Sequence, residues 1–109
     1  MADALLVLGQ LDPAAATAED LYTVPASTEA IVSTITVANR SATATSFRLS
    51  IAIADELEDD KQYIAYDVAI EGNEAKSFTL GIGLAATDVI RVYATLATLS
   101  FSAFGVEKS

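Results

Sequence analysis

The sequence predicts an all-β protein, an antiparallel β-sandwich of about eight strands with a jelly-roll or other Greek-key order. Three observations predict it. Apolar and polar residues alternate over short runs, most clearly Phe47, Leu49, Ile51 and Ile53 against Ser46, Arg48, Ser50 and Ala52. Clusters of turn-forming residues separate such runs roughly every ten positions. No stretch carries the amphipathic face that would hold a helix against a core.

Leu5 to Gln10 reads as the first strand. Both of its faces are apolar, so it is either a core strand buried on two sides or an arm that packs on another subunit. Leu11 to Glu19 holds Pro13 and small residues and reads as a loop. Asp20 to Val24 is a short strand stopped by Pro25. A strand from Ile31 follows, with Ile31, Ile35 and Val37 on one face and Val32, Thr34 and Thr36 on the other. Asn39, Arg40 and Ser41 supply turn chemistry. The alternating run to Ile53 then completes what reads as a hairpin over Ile31 to Ile53. Its face of Ser46, Arg48, Ser50 and Ala52 reads as flat and wet.

Polarity changes sharply at Ala54. Asp55 to Asp60 holds five acids in six positions and reads as a solvated loop. Gln62 to Ile70 resumes as a strand. Glu71 to Glu74 is a turn in which Gly72 and Asn73 can take positive φ. Ala75 to Leu80 is the next strand, with Phe78 and Leu80 inward and Ile82 and Leu84 continuing that parity. Gly81 and Gly83 predict a bulge, a bend or a close backbone approach. Val89 to Thr95 is rich in β-branched and aromatic residues and is a strand. Thr98 to Val106 closes the fold, with Leu99, Phe101 and Ala103 on one face and Phe104 on the other. Residues 107–109 read as a frayed tail. At 109 residues the chain is read as one domain over 1–109, with residues 1–12 as an N-terminal strand or arm.

Composition narrows the function. The net charge is −9. Such a field repels phosphate, which argues against nucleic acid and anionic membranes as partners. There is no cysteine and no histidine, so thiolate nucleophiles and the commonest general base and metal ligand are missing. The N-terminal apolar run lacks a basic flank and is too short for a signal peptide. No stretch approaches the ~20 apolar residues of a membrane span.

The acidic loop supplies the weak metal candidates Asp55, Glu56, Glu58, Asp59 and Asp60. Oxygen ligands suit Ca²⁺, but the spacing is not that of an EF-hand. Asp67, Asp88, Glu71 and Glu74 are the remaining acids for a paired-carboxylate mechanism. All but Asp67 sit in turn contexts where Asp and Glu are ordinary. The serines have no histidine partner, and Gly81-Ile82-Gly83 is followed by neither helix nor lysine. No enzyme, catalytic residue, cofactor or metal is therefore expected. Arg48 and Arg91 fall mid-strand on outward faces, where each either pairs with an acid across the sheet or lies at a subunit contact. Tyr66 and Tyr93 are packing residues or a platform for a partner. Candidate interface residues are thus Leu5, Leu6, Val7, Leu8, Arg48, Tyr66, Arg91, Tyr93 and Phe104.

Several stretches carry a family resemblance. They are Asp20 to Ala26, Ile31 to Arg40, Thr45 to Leu49, Tyr63 to Asp67, Phe78 to Ile82 with Leu84 and Ala85, Asp88 to Tyr93, Leu99 to Phe101, and Phe104 with Gly105. Together they resemble the small β-sandwich virion proteins of tailed bacteriophages, found as capsid decoration (cement) proteins and as tail or neck fibre modules. The resemblance spans most of the chain from Asp20, and its motifs are strands and turns. It implies a non-enzymatic structural role on the capsid surface of a virion assembled in the host cytoplasm. It implies the major capsid protein as partner and a homo-oligomer, a trimer, as the assembly. Two alternatives are a tail or neck fibre module that binds host glycan or protein, and a carbohydrate-binding sandwich using Tyr63, Tyr66 and Tyr93.

Overall fold

The computed structural model describes residues 5–108. The strands are β1 (Leu6–Leu11), β2 (Thr17–Thr23), β3 (Glu29–Asn39), β4 (Thr45–Ala52), β5 (Tyr63–Ile70), β6 (Ala75–Leu84), β7 (Val89–Ala94) and β8 (Leu99–Lys108). Two 3-10 turns, Ile53–Asp55 and Asp60–Gln62, lie between β4 and β5. The strands form two four-stranded sheets, ordered β1-β8-β3-β6 and β2-β7-β4-β5. Every paired neighbour is antiparallel. Pairing β4 with β5, β3 with β6, β2 with β7 and β1 with β8 is one long hairpin folded over on itself, the jelly-roll order.

This order corrects the reading of Ile31 to Ile53. β3 and β4 lie in different sheets, so Asn39 to Ser41 starts an arch between layers. Among consecutive strands, only β4 and β5 pair, and the acidic loop is the tip between them. The arch is held by Asn39, which is nearly buried. Its Nδ2 donates to the carbonyls of Thr43 (2.9 Å) and Glu71 (3.1 Å), and its Oδ1 accepts from the Ser41 amide (3.1 Å). The β3–β4 and β5–β6 arches thus share one polar post. Asn73 takes the left-handed conformation expected of it (φ 57°). Gly72 does not; it is needed because a Cβ there would strike the backbone of Ala42.

Bulges decide which side chains enter the core. The β3 register shifts between Val32 and Thr34 against both neighbours. Ala30 and Val32 therefore point inward on even numbers, while Ile35 and Val37 point inward on odd numbers. Ile31, grouped by sequence with Ile35 and Val37, is instead 58% exposed. The matching irregularity on β6 inserts Leu80 and Gly81, and Leu80 turns partly outward. Gly81 thus sits at the expected bulge, but no backbone closes on it or on Gly83. Close approaches in this sheet are instead at Gly105, where a Cβ would overlap the carbonyl of Ile31, and at Gly9, where it would meet that of Leu21.

The core lies between the sheets around Phe47, Ile35, Leu49, Ile90, Leu99 and Phe101, all fully buried. β1 does not match a strand buried on two sides. Leu8 and Leu11 pack on the core, but Leu5, Leu6 and Val7 are largely exposed. The loop expected over Leu11 to Glu19 ends early, because β2 begins at Thr17. The tail expected over 107–109 is ordered through Lys108 as part of β8. The Tyr22 hydroxyl donates to Glu107 Oε2 at 2.5 Å, tying the strand end to the other sheet. Ser109 and residues 1–4 of the arm lie outside the described residues.

Candidate functional site

Two sheet faces point away from the core, and they differ in chemistry. The outer face of β2-β7-β4-β5 is charged and aromatic. Its centre is Arg48 on β4. Opposite it, β5 carries an irregularity between Ala65 and Val68, so Tyr66 and Asp67 both face one residue. Asp67 takes a left-handed conformation (φ 50°), which aspartate tolerates better than most residues. Its Oδ1 accepts from Arg48 Nε at 2.7 Å. The guanidinium carbon lies 4.2 Å from the Tyr66 ring centroid and 4.4 Å from that of Tyr93, both cation–π distances. Tyr63 meets Tyr66 edge to face at 4.9 Å. Hydrogen bonding to Asp67 raises the Arg48 pKa above its ordinary value. Arg48 thus pairs with an acid across the sheet, and Tyr66, 55% exposed, is the open edge of the cluster.

The other arginine of this face is a structural clamp. Arg91 Nε donates to Asp20 Oδ1 at 3.1 Å, Nη1 to the Glu56 carbonyl at 2.6 Å, and Nη2 to Asp55 Oδ1. It fastens the acidic loop to the sheet. Beneath that end of the face, Ser50, Ala52 and Val89 are buried, so the flat wet face expected along β4 stops at Arg48. The five acids do not converge on one point. Asp55 faces Arg91, and Glu56 lies 3.8 Å from Lys61 Nζ. The Asp59 amide donates to Gln62 Oε1 at 3.2 Å, while Gln62 Nε2 donates to the Leu57 carbonyl at 2.9 Å. Among the described residues no group of three or more acids is placed to hold a metal ion.

Two phenols are shifted. Burial, then the Glu107 carboxylate, pushes the Tyr22 hydroxyl up. Burial, then Glu58, pushes Tyr63 up, against a smaller downward pull from Arg48. A phenol with a raised folded-state pKa favours its neutral form in the fold. Its contribution is complete below the unfolded value of about 10 and is lost as pH rises through the folded value. In a difference-absorbance titration, at least two of the four tyrosines are therefore expected to ionise above pH ~10. The denaturation midpoint should fall over the same interval. Four phenols titrating together near pH 10 at constant stability would contradict this assignment.

The outer face of β1-β8-β3-β6 is nearly free of charge. Reading the registers across, its residues include Val7, Phe104, Thr34 and Thr79 in one row, and Val106, Ile31 and Gly83 in the next. Further along it turns small and polar, with Thr36, Ser102 and Ser77. Its charged residues lie at its two ends: Glu29 and Lys108, opposite one another in register, at one, and Asp12 and Arg40 beside Ser100 and Ser102 at the other. A shallow groove of about 390 Å³ runs along the Ile31 end, between Gly83 and Val106. Of the predicted interface residues, Val7 and Phe104 are register partners on this side, Leu5 and Leu6 are exposed at the start of β1, and Leu8 is turned to the core. Arg48, Tyr66, Arg91 and Tyr93 sit on the opposite side of the sandwich. The sequence reading missed Ile31, Val106 and the open backbone at Gly83. The signal was an isoleucine, Ile31, whose parity the Ser33 bulge inverts.

No family model matches the chain, and no curated protein matches it. Among solved structures, the chain is similar to a pentameric capsid protein isolated from metagenomic phage sequences, known from a crystal structure. The identity is 12% and the TM-score 0.41, over 95% of this chain. The chain spans 63% of that protein's length. Among the described residues, no helix is long and apolar enough to cross a membrane.

Proposed function

We propose that this chain is a virion structural protein, a capsid decoration (cement) protein that works by packing against other proteins rather than by catalysis. The observation that carries the reading is the outer β1-β8-β3-β6 face. On a chain with net charge −9, one sheet presents small and apolar side chains along its middle, with one acid and one base at each end, Glu29 with Lys108 and Asp12 with Arg40. Surfaces depleted of charge at their centre are what protein interfaces use. The strand and turn motifs that resemble phage virion proteins support the same reading. The partner is the major capsid protein, and copies of the chain join into a homo-oligomer, for which the resemblance implies a trimer. Contact area and shape fit would supply the stabilisation.

The test is binding of the purified chain to capsids stripped of accessory proteins, followed by heating. The expected result is hundreds of copies bound per capsid and a higher temperature of capsid disruption. A few copies per virion would favour a tail or neck fibre module. No binding and no change in capsid stability would reject a virion role of this kind.

A further inference from the structure

We infer that a second copy of this chain covers the apolar end of the outer β1-β8-β3-β6 face. The inference rests on the packing role proposed above and names one partner for it. Val7 and Ile31 are 55% and 58% exposed there, with Phe104 and Val106 half-buried between them. Large aliphatics held in water on adjacent strands form a continuous patch, and such patches mark contact surfaces.

The patch carries both halves of a fit. Ile31 stands out from β3. Its direct neighbour on β6 is Gly83, and a Cβ built at Gly83 or at Gly81 meets nothing within 4 Å. A protruding side chain therefore lies beside an open trough in the same face. Two such faces related by a twofold axis place each Ile31 in the other's trough, which is the self-complementarity of an isologous contact.

Charge points to the same occupant. Copies of a chain at −9 repel through most of their surface. This face carries no net charge: Glu29 and Lys108 oppose each other in register at the apolar end, and Asp12 and Arg40 share the far end. The area requires the contact to continue from the apolar end along the rest of the face. Four strands about 4.8 Å apart, two of them ten residues long, give a flat projection of about 600 Å². Side chains enlarge the accessible surface beyond this projection, and a standard interface needs about 800 Å² per partner. Being twofold, this contact joins copies in pairs and does not itself close a trimer.

The experiment is sedimentation equilibrium of the full chain over about 1 µM to 1 mM, for the native sequence, Ile31→Glu and Gly83→Leu. Ile31→Glu puts a charge on the knob, and Gly83→Leu fills the trough. Both positions are exposed, and far-UV circular dichroism with a thermal melt checks that each variant folds. Association of the native chain beyond its 11.4 kDa mass is expected. Each variant is expected to raise the dissociation constant at least 100-fold. Tyr66→Ala, on the opposite face, is expected to change nothing. A native chain that stays monomeric throughout overturns the inference, as does an oligomer of any size whose mass neither variant alters. Variants that keep the native mass but lose capsid binding also overturn it, by making the face a shell contact. Native association lost in both variants, with no binding to capsids, would sustain the pairing and reject the decoration role.

Discussion

Phe47→Ala is expected to cost about 4 kcal/mol of stability, within the usual range of 3–5 kcal/mol for removing a buried aromatic. Phe47 belongs to β4 and is fully buried. Its ring lies 5.9 Å from Phe78 at 77° and 6.1 Å from Phe101 at 75°. Both partners belong to the other sheet, so this ring joins the two layers. Edge-to-face pairs add about 0.5–1.5 kcal/mol beyond area burial. The truncation removes both and leaves a void between sheets whose strands cannot move together without breaking their ladders. For a chain of this size the loss corresponds to a fall in melting temperature of about 15 °C or more. Phe47→Leu keeps much of the volume and should cost clearly less, about 1–2 kcal/mol. Urea unfolding of the three proteins reads both values. A Phe47→Ala loss below about 1 kcal/mol would remove Phe47 from the centre of the core.

The alternation that places Phe47 inward was legible from the residues alone, and so were the eight strands in outline. Alternation is a local property: it says that a strand has two faces, not which strand lies beside it. Ile31 to Ile53 shows the difference, since two adjacent runs with a turn between them went to separate sheets. Bulges hide from the same reasoning. One extra residue at Ser33 reverses the parity of β3 and turns Ile31 to solvent. The irregularity at Tyr66 and Asp67 sets two side chains against Arg48 where a regular register would set one. The Tyr66–Asp67 bulge carries no glycine, and at the Ser33 bulge the glycine, Gly81, lies on the partner strand and not on β3. The pairing of Arg48 with an acid across the sheet was expected because β-sheet charge pairs are local in space. The arrangement of rings around it depends on β7 arriving from elsewhere in the chain. Burial of Ser50 and Ala52 was not legible, because the loop at that end looked solvated by composition. Arg91 draws it down, and no local pattern announces a contact between residues 36 positions apart.

Asp88→Ala is expected to cost about 3 kcal/mol, since hydrogen bonds to a charged acceptor contribute about 1.5–3 kcal/mol each and two are lost. By sequence Asp88 is an ordinary turn residue ahead of β7. In the fold it is nearly buried and its two oxygens serve different loops. Oδ1 accepts from the Ala54 amide at 2.9 Å, and Oδ2 from the Ala85 amide at 2.9 Å. Its own carbonyl accepts from the Val24 amide at 3.0 Å. Three residues around it, Ala54, Asp55 and Thr87, hold left-handed conformations at φ 53°, 58° and 70°. Each is disfavoured for a residue with a Cβ, most of all for β-branched Thr87, and persists only where neighbours enforce it. The Asp88 carboxylate is one of those neighbours. Without it the Ile53–Gln62 segment keeps the Arg91 contacts but loses its anchor at the β4 end. Ala52 and Val89, now buried, then gain access to water. Asp88→Asn retains one oxygen acceptor and should cost about half as much. Amide hydrogen exchange separates this local mechanism from a general loss of stability. Ala54 and Ala85 should exchange faster in Asp88→Ala by more than the change in global stability requires, while the amides of β3 and β8 should follow global unfolding. Equal acceleration at every amide, or a loss under about 0.5 kcal/mol, would show that the two loops are held without this carboxylate.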